Sequence, residues 1–191
     1  MIILGIDPGS RFTGFGVLRW SSKKIEYIDS GVLNFSSYKE FLPRLGPIHS
    51  AAKLLIEKYS PNEVSIESLI YVKNVSSLAK LAQARGAMLG AILNVYPGKI
   101  YEYSPNLIKN TVSGHGHSSK EGIVNMLENY FGKKNFNTHD ESDGVAVALC
   151  HALLRDKLKI LNQNLNNKRN GNSLSGALKN NKKVLQQLKE L

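Results

Sequence analysis

A chain of 191 residues, 42% of them hydrophobic and 21% charged, can bury one substantial core and needs no second domain. Its single cysteine, Cys150, excludes a disulfide framework, and no segment is apolar over a length that spans a bilayer, so we expect a cytoplasmic protein without a membrane partner. The formal net charge of +10 indicates an anionic partner. Nine basic and only two acidic residues lie from Arg155 onward, so any nucleic-acid surface on the main domain must be a local patch.

The predicted elements begin with a meander of three strands. An apolar run over residues 1–6 ends at Asp7, and a Pro-Gly turn follows directly. Further strands are predicted over 15–20 and 24–33, joined in hairpin fashion at 21–23. Asp7 therefore lies at a strand end, where open α/β sheets bind ligands, although a simple turn former is the alternative.

Helices and strands alternate through the rest of the main domain. Apolar spacing predicts strands over 63–67 and 100–103 and helices over 41–59, 76–96, 105–112, 120–131 and 140–154. This order predicts an α/β fold with a mixed five-stranded sheet flanked by helices. An Asn-rich and Lys-rich tail follows, so we predict a domain over 1–155 and a linker-like tail with a possible short helix over 156–191.

Four carboxylates occupy positions where such a fold can gather them. Asp7 and Glu67 end strands, while a capping box over 138–141 predicts a helix start that puts Asp140 and Asp143 on one face. Complementarity with the helix dipole is the alternative for Asp140, whereas Asp143 follows the apolar stripe and needs a compensating partner. Four acids together need cations to stay ionised, and oxygen-only ligands favour a pair of Mg²⁺ or Mn²⁺ ions.

A glycine-rich segment, residues 113–120, precedes the predicted helix over 120–131. Its free N–H groups and Lys120 suit a backbone phosphate, while a flexible loop with a helix cap at Ser118 is the alternative. The two histidines of this segment lack further clustered ligands, so we do not expect a structural zinc site.

The ordered set of motifs closely resembles the RuvC family of Holliday junction resolvases over nearly all of residues 1–155. The matching segments are Ile6-Asp7-Pro8-Gly9-Ser10, Thr13-Gly14-Phe15-Gly16, Ile66-Glu67, residues 80–86 (KLAQARG) and residues 140–143 (DESD) with the apolar run after them. The resemblance implies an RNase H-like fold and a homodimer that makes paired symmetric nicks in four-way DNA junctions. It further implies two Mg²⁺ per site with Mn²⁺ able to substitute, products with 5′-phosphate and 3′-hydroxyl ends, and RuvA and RuvB branch-migration proteins as partners.

By position, the resemblance assigns the catalytic and metal-binding role to the same four acids: Asp7, Glu67, Asp140 and Asp143. Lys109 and Lys120 match basic residues that contact DNA near the active site of the family. Members often carry an aromatic residue three positions after the glutamate, whereas this chain has Ile70 there and Tyr71 next. Either side chain is a candidate for contact with the branch point, since aliphatic wedges also disturb base stacking.

Apolar spacing alone makes the helix over 76–96 a core helix, whereas the resemblance implies that it forms the dimer interface. A non-catalytic junction-binding module and an RNase H-like nuclease acting on RNA are alternative functions. A sugar kinase or actin-like ATPase would share the hairpin over residues 7–14, but it needs two such domains, and this chain is too short for them.

Overall fold

A five-stranded mixed sheet forms the centre of the protein in a computed structural model. The structure describes residues 1–21, 24–69, 74–114, 119–132 and 135–169, with the backbone path alone for 156–169. The strands are β1 (Ile2–Asp7), β2 (Phe12–Trp20), β3 (Ile25–Asn34), β4 (Glu63–Glu67) and β5 (Ile100–Tyr103). Their spatial order is β3-β2-β1-β4-β5. Strand β2 is antiparallel to both β1 and β3, and β4 and β5 run parallel to β1. The predicted sheet is confirmed.

Helices fill the rest of the described chain: α1 (Leu45–Tyr59), α2 (Val75–Val95), α3 (Pro105–Ser113), α4 (Lys120–Phe131) and α5 (His139–Arg169). A short 3-10 turn, Leu42–Arg44, takes up the start of the first predicted helix, because Pro43 lacks the N–H that a helix interior needs. Within the described ranges, no helix has both the length and the apolar character to cross a membrane.

Helix α5 runs further than its predicted end at residue 154. No glycine or proline lies between Gly144 and Gly171, so nothing in this stretch breaks the helix. The chain divides into two compact units, Met1–Leu153 and Leu154–Leu191, of which the first contains the whole sheet. The predicted domain boundary at residue 155 remains a prediction.

Helices α1 and α2 cover one face of the sheet. Their buried side chains join those of β1 and β4 in one apolar cluster that includes Leu4, Ile6, Ile48, Ala52, Val64, Ile66, Met88 and Ile92. Because side chains alternate along a strand, the other residues of β1 and β4 face the opposite side. That second face carries α5.

Glycines bring α5 into direct contact with β1 and β2. A Cβ atom on Gly5 would lie 2.3 Å from the main-chain nitrogen of Ala148, and one on Gly14 would lie 1.7 Å from the carbonyl oxygen of Asp140. Only glycine permits this approach. Strand β2 starts before its predicted beginning at residue 15, and Gly14 pairs with Asp7. Glycine usually weakens a strand, but here it is required by the contact with α5.

Candidate active site

The register of the sheet brings two of the acids to one edge. Strands β1 and β4 are parallel neighbours, so their last residues, Asp7 and Glu67, lie side by side. Gly5, two residues before Asp7, faces α5, and Ser65, two residues before Glu67, donates its hydroxyl to the carbonyl oxygen of Val147 in α5 at 3.4 Å. By the alternation of strand side chains, both carboxylates face α5 as well.

The first turn of α5 supplies the other two acids. The Thr138 hydroxyl accepts a hydrogen bond from the Glu141 N–H at 3.2 Å, which confirms the predicted helix cap. The buried Glu141 carboxylate accepts hydrogen bonds from the Ser30 hydroxyl at 2.5 Å and from the Asn137 N–H at 2.8 Å. Glu141 therefore ties the start of α5 to β3, a contact that local sequence could not reveal because Ser30 is distant along the chain.

One open cleft of about 250 Å³ collects all four acids. Lys109 from α3 and Lys120 from the first turn of α4 also line it, and the Lys120 Nζ atom lies 3.6 Å from Asp143 Oδ2. The remaining wall is apolar and was not predicted as part of the site: Pro105, Ile108, Ile123 and Ala146. Nothing in the sequence pattern separates these residues from ordinary core positions.

Several predicted residues lie outside the described part of the chain. These are Ile70 and Tyr71, the two histidines of segment 113–120, and Ser118. Helix α4 begins at Lys120 as predicted, and its cap is Ser119, whose hydroxyl accepts a hydrogen bond from the Gly122 N–H at 3.1 Å.

Burial and the neighbouring negative charges raise the pKa of three acids of the cleft. Burial, and after it the negative charges of the other three acids, raises the pKa of Asp7 to about 8, while Lys120 opposes the shift. Burial and the charge of Asp143 raise the pKa of Glu67 to about 7, against the two lysines of the cleft. Burial also raises the pKa of Asp143. Near neutral pH the cluster therefore holds protons that a bound cation would displace.

These shifts predict how stability depends on pH. Because the pKa values of Asp7 and Glu67 exceed their ordinary values of 3.8 and 4.5, the folded protein binds more protons than the unfolded chain between about pH 4 and pH 8. The stability of the metal-free protein therefore falls as pH rises through this range. We expect Asp7→Asn to raise the free energy of unfolding by on the order of 2 kcal/mol at pH 8 and by little at pH 4.

Urea denaturation in EDTA at both pH values measures this difference. Glu57→Gln changes an acid of α1 whose side chain is 51% exposed, and it should leave stability nearly unchanged at both pH values. If Asp7→Asn raises the free energy of unfolding equally at pH 4 and pH 8, the effect comes from packing and not from charge.

The donor chemistry of the cleft suits a hard divalent cation, because the four acids offer only oxygen ligands. Among the described residues, no group of three or more His, Cys, Asp or Glu side chains is arranged to hold an ion by itself. Magnesium fits such a site, since it usually keeps several waters and is bound by one or two carboxylates together with substrate phosphates. The residues thus fit an ion that the phosphate groups of a substrate help to bind.

Comparison with known proteins gives consistent matches. A family model described as crossover junction endodeoxyribonuclease RuvC matches residues 3–151. The chain is 39% identical over 160 residues to the protein of that name from Legionella pneumophila (84% of this chain, 91% of the relative). It is 36% identical over 153 residues to that from Geobacter sulfurreducens (80% and 92%). The structure of Thermus thermophilus RuvC in complex with Holliday junction substrate has a TM-score of 0.74 at 28% identity, over 82% of this chain and 96% of that one.

Proposed function

The chain belongs to the RuvC family of crossover junction endodeoxyribonucleases and is a Holliday junction resolvase, and we propose that the four acids of the cleft form its catalytic centre. The observation that supports this assignment is their convergence in one cleft from three separate elements, β1, β4 and α5. Family membership implies dependence on a divalent metal. We propose Mg²⁺, with two ions per site and Mn²⁺ able to substitute.

Hydrolysis at this centre forms a bond from a water oxygen to phosphorus and breaks the bond from phosphorus to O3′. The products carry a 5′-phosphate and a 3′-hydroxyl, with a proton transferred to O3′. Bound cations supply activation of the water and neutralisation of charge on the phosphate. The four acids would hold the cations as carboxylates, and Lys109 and Lys120 hold the scissile strand by its phosphates. The apolar wall beside Ile108 and Ile123 limits water on one side.

Cleavage of a synthetic four-way junction tests the proposal, with a linear duplex of the same sequences as the control. We expect paired symmetric nicks in the junction alone, in Mg²⁺ and not in EDTA. Binding without cleavage in either Mg²⁺ or Mn²⁺ would contradict the assignment of the catalytic centre. Preferential cleavage of single-stranded RNA would contradict the assignment of the four-way junction as the substrate.

The lysines of the cleft should contribute mainly through charge. We expect Lys109→Ala and Lys120→Ala each to weaken junction binding across sequences and to reduce the slope of log Kd against log salt concentration by about 1. Fluorescence anisotropy at several salt concentrations measures this slope. Lys53→Ala, which changes an exposed lysine of α1, is the matched control and should leave the slope unchanged. Wild-type slopes for both cleft variants would mean that neither lysine contacts phosphate.

We further propose that the outward face of α2 joins two copies of the chain. The opposite face of α2 is buried against the sheet through Ala84, Met88, Ala91 and Ile92. On the outward face, Val75 and Leu93 are 70% and 63% exposed, and Gly86 lies in line between them, about three and two helical turns away. A Cβ atom on Gly86 or Gly90 would meet nothing within 4 Å, so the middle of this face is smooth and open to a second helix.

A two-fold interface of this kind suits the substrate, because it presents two identical centres to two strands of like polarity. The two predictions for α2 are compatible, because one face of the helix packs in the core while the other face is free to form the proposed interface. Partnership with RuvA and RuvB is a proposal from the family resemblance alone. The cytoplasmic location remains a prediction.

A further inference from the structure

Arg85 belongs to the sequence segment over 80–86 and has no role in the function described so far. It lies in the third turn of α2, and its side chain is only 13% exposed. The Nε atom donates a hydrogen bond to the main-chain carbonyl oxygen of Glu67 at 3.3 Å. The buried Nη2 atom lies 2.8 Å from Glu102 Oε2, but its direction does not make a hydrogen bond, so this second contact is an ion pair.

The two sides of the sheet have different roles at this point. Tyr103 of β5 faces α5, because its hydroxyl contacts His151 at 2.6 Å, so the preceding residue, Glu102, faces α2. Arg85 therefore approaches the end of β4 from the α2 side. The Glu67 carboxylate leaves the same residue on the α5 side and lines the cleft.

The Glu67 carbonyl is at a strand end, where the regular ladder of the sheet stops. A carbonyl group there needs a donor from elsewhere, and the Arg85 guanidinium supplies one. The bond also joins the end of β4 to the third turn of α2. Without it, the peptide that carries Glu67 loses this polar contact with the helix and keeps only the apolar packing of the strand before it.

We propose that Arg85 is a positioning residue that holds the Glu67 carboxylate in place among the other three acids. The inference rests on the proposed catalytic centre. Arg85 acts on the backbone: the charges that set the Glu67 pKa belong to Asp143 and the two lysines of the cleft, whereas Arg85 holds the carbonyl on the other face. A misplacement of about 1 Å at a reacting centre can cost about 100-fold in rate, so a single backbone contact is enough to matter.

Three variants of the full chain separate the contacts. Arg85→Lys keeps the positive charge but loses the Nε donor of the planar guanidinium. Arg85→Gln loses the charge as well as the donor. Glu102→Gln removes the ion pair and leaves the contact with the Glu67 carbonyl. Glu67→Gln is the reference for loss of the carboxylate itself. The measurements are single-turnover junction cleavage against Mg²⁺ concentration, Mn²⁺ binding followed by electron paramagnetic resonance, junction Kd and Tm.

We expect both Arg85 variants to cleave about 100-fold more slowly, to need more Mg²⁺ and to bind Mn²⁺ more weakly, with junction Kd unchanged. Glu102→Gln should behave like the wild type. A lower Tm with unchanged Mn²⁺ binding would make Arg85 a purely structural residue, and an equal defect in Glu102→Gln would assign the effect to the ion pair; either result overturns the proposal.

The reference variant separates two kinds of failure. If Glu67→Gln cleaves at the wild-type rate, the assignment of the catalytic centre is wrong, and the role of Arg85 is wrong with it. If Glu67→Gln is inactive while both Arg85 variants match the wild type in rate and Mn²⁺ binding, only the inference about Arg85 is wrong.

Discussion

Replacing Asp7 with asparagine is expected to slow junction cleavage about 1,000-fold or more while leaving junction binding nearly unchanged. Burial and the negative charges of the other three acids raise the pKa of Asp7 to about 8, so its ionised carboxylate needs a neighbouring cation at neutral pH. Cations at such sites supply several kcal/mol of charge stabilisation, and each 1.36 kcal/mol corresponds to about tenfold in rate. Single-turnover cleavage in Mg²⁺ and a binding titration in EDTA measure the two effects separately.

Asp29→Asn is the matched control for this experiment. Asp29 lies on β3, where its carboxylate accepts hydrogen bonds from the Tyr59 hydroxyl at 2.5 Å and the Lys58 ammonium at 3.4 Å, outside the group of residues that line the cleft. We expect its cleavage rate to stay within about threefold of the wild type, since a partly exposed pair contributes little beyond local stability. If Asp7→Asn lowers the cleavage rate by less than tenfold, Asp7 is not part of the catalytic centre. Unfolding would not explain a large loss, because the same change should stabilise the metal-free protein.

Introducing glutamate at Gly86 is expected to separate the proposed dimer and to abolish the pairing of the nicks. Within one copy a Cβ atom at Gly86 meets nothing, and glutamate favours a helix by several tenths of a kcal/mol over glycine, so each copy should still fold. In the proposed interface, the substitution would place two like charges against each other, at a cost of several kcal/mol. The dimer Kd should therefore rise at least about 100-fold.

Sedimentation velocity measures the dimer, and a cruciform plasmid reports whether both strands are cut in one encounter. Met126→Glu places the same charge on α4, where Met126 is 41% exposed, and it should leave the dimer intact. If Gly86→Glu remains dimeric at the same concentration, α2 is not the interface.

The elements around the site could be predicted because their signals are local. An apolar run that stops at Asp7 before Pro8-Gly9 marks a strand end in any context, and the Thr138 cap marks the start of α5. The prediction ends α5 at residue 154, where the composition becomes polar. The helix continues to Arg169, because no residue that breaks a helix lies in that stretch.

Contacts between distant parts of the chain could not be predicted in this way. The hydrogen bond from Arg85 to Glu67 depends on how α2 folds back on β4, and that from Ser30 to Glu141 joins β3 to α5. The glycines of β1 and β2 are unfavourable for a strand when the sequence is considered locally. They are needed because the main chain of α5 packs directly on them. The sequence therefore predicts which acids form the site, whereas the structure shows which contacts hold them in place.

The contact between α5 and Gly5 and Gly14 makes the width of the cleft a property of the main chain. A side chain on either glycine would push the helix away from the sheet, so α5 packs there at the closest distance that the main chain allows. Magnesium binds oxygen at about 2.0 to 2.1 Å and calcium at about 2.3 to 2.6 Å. We expect a spacing limited by this main-chain contact to favour the smaller of these two ions, so that two residues without a side chain beyond hydrogen would contribute to the choice of metal.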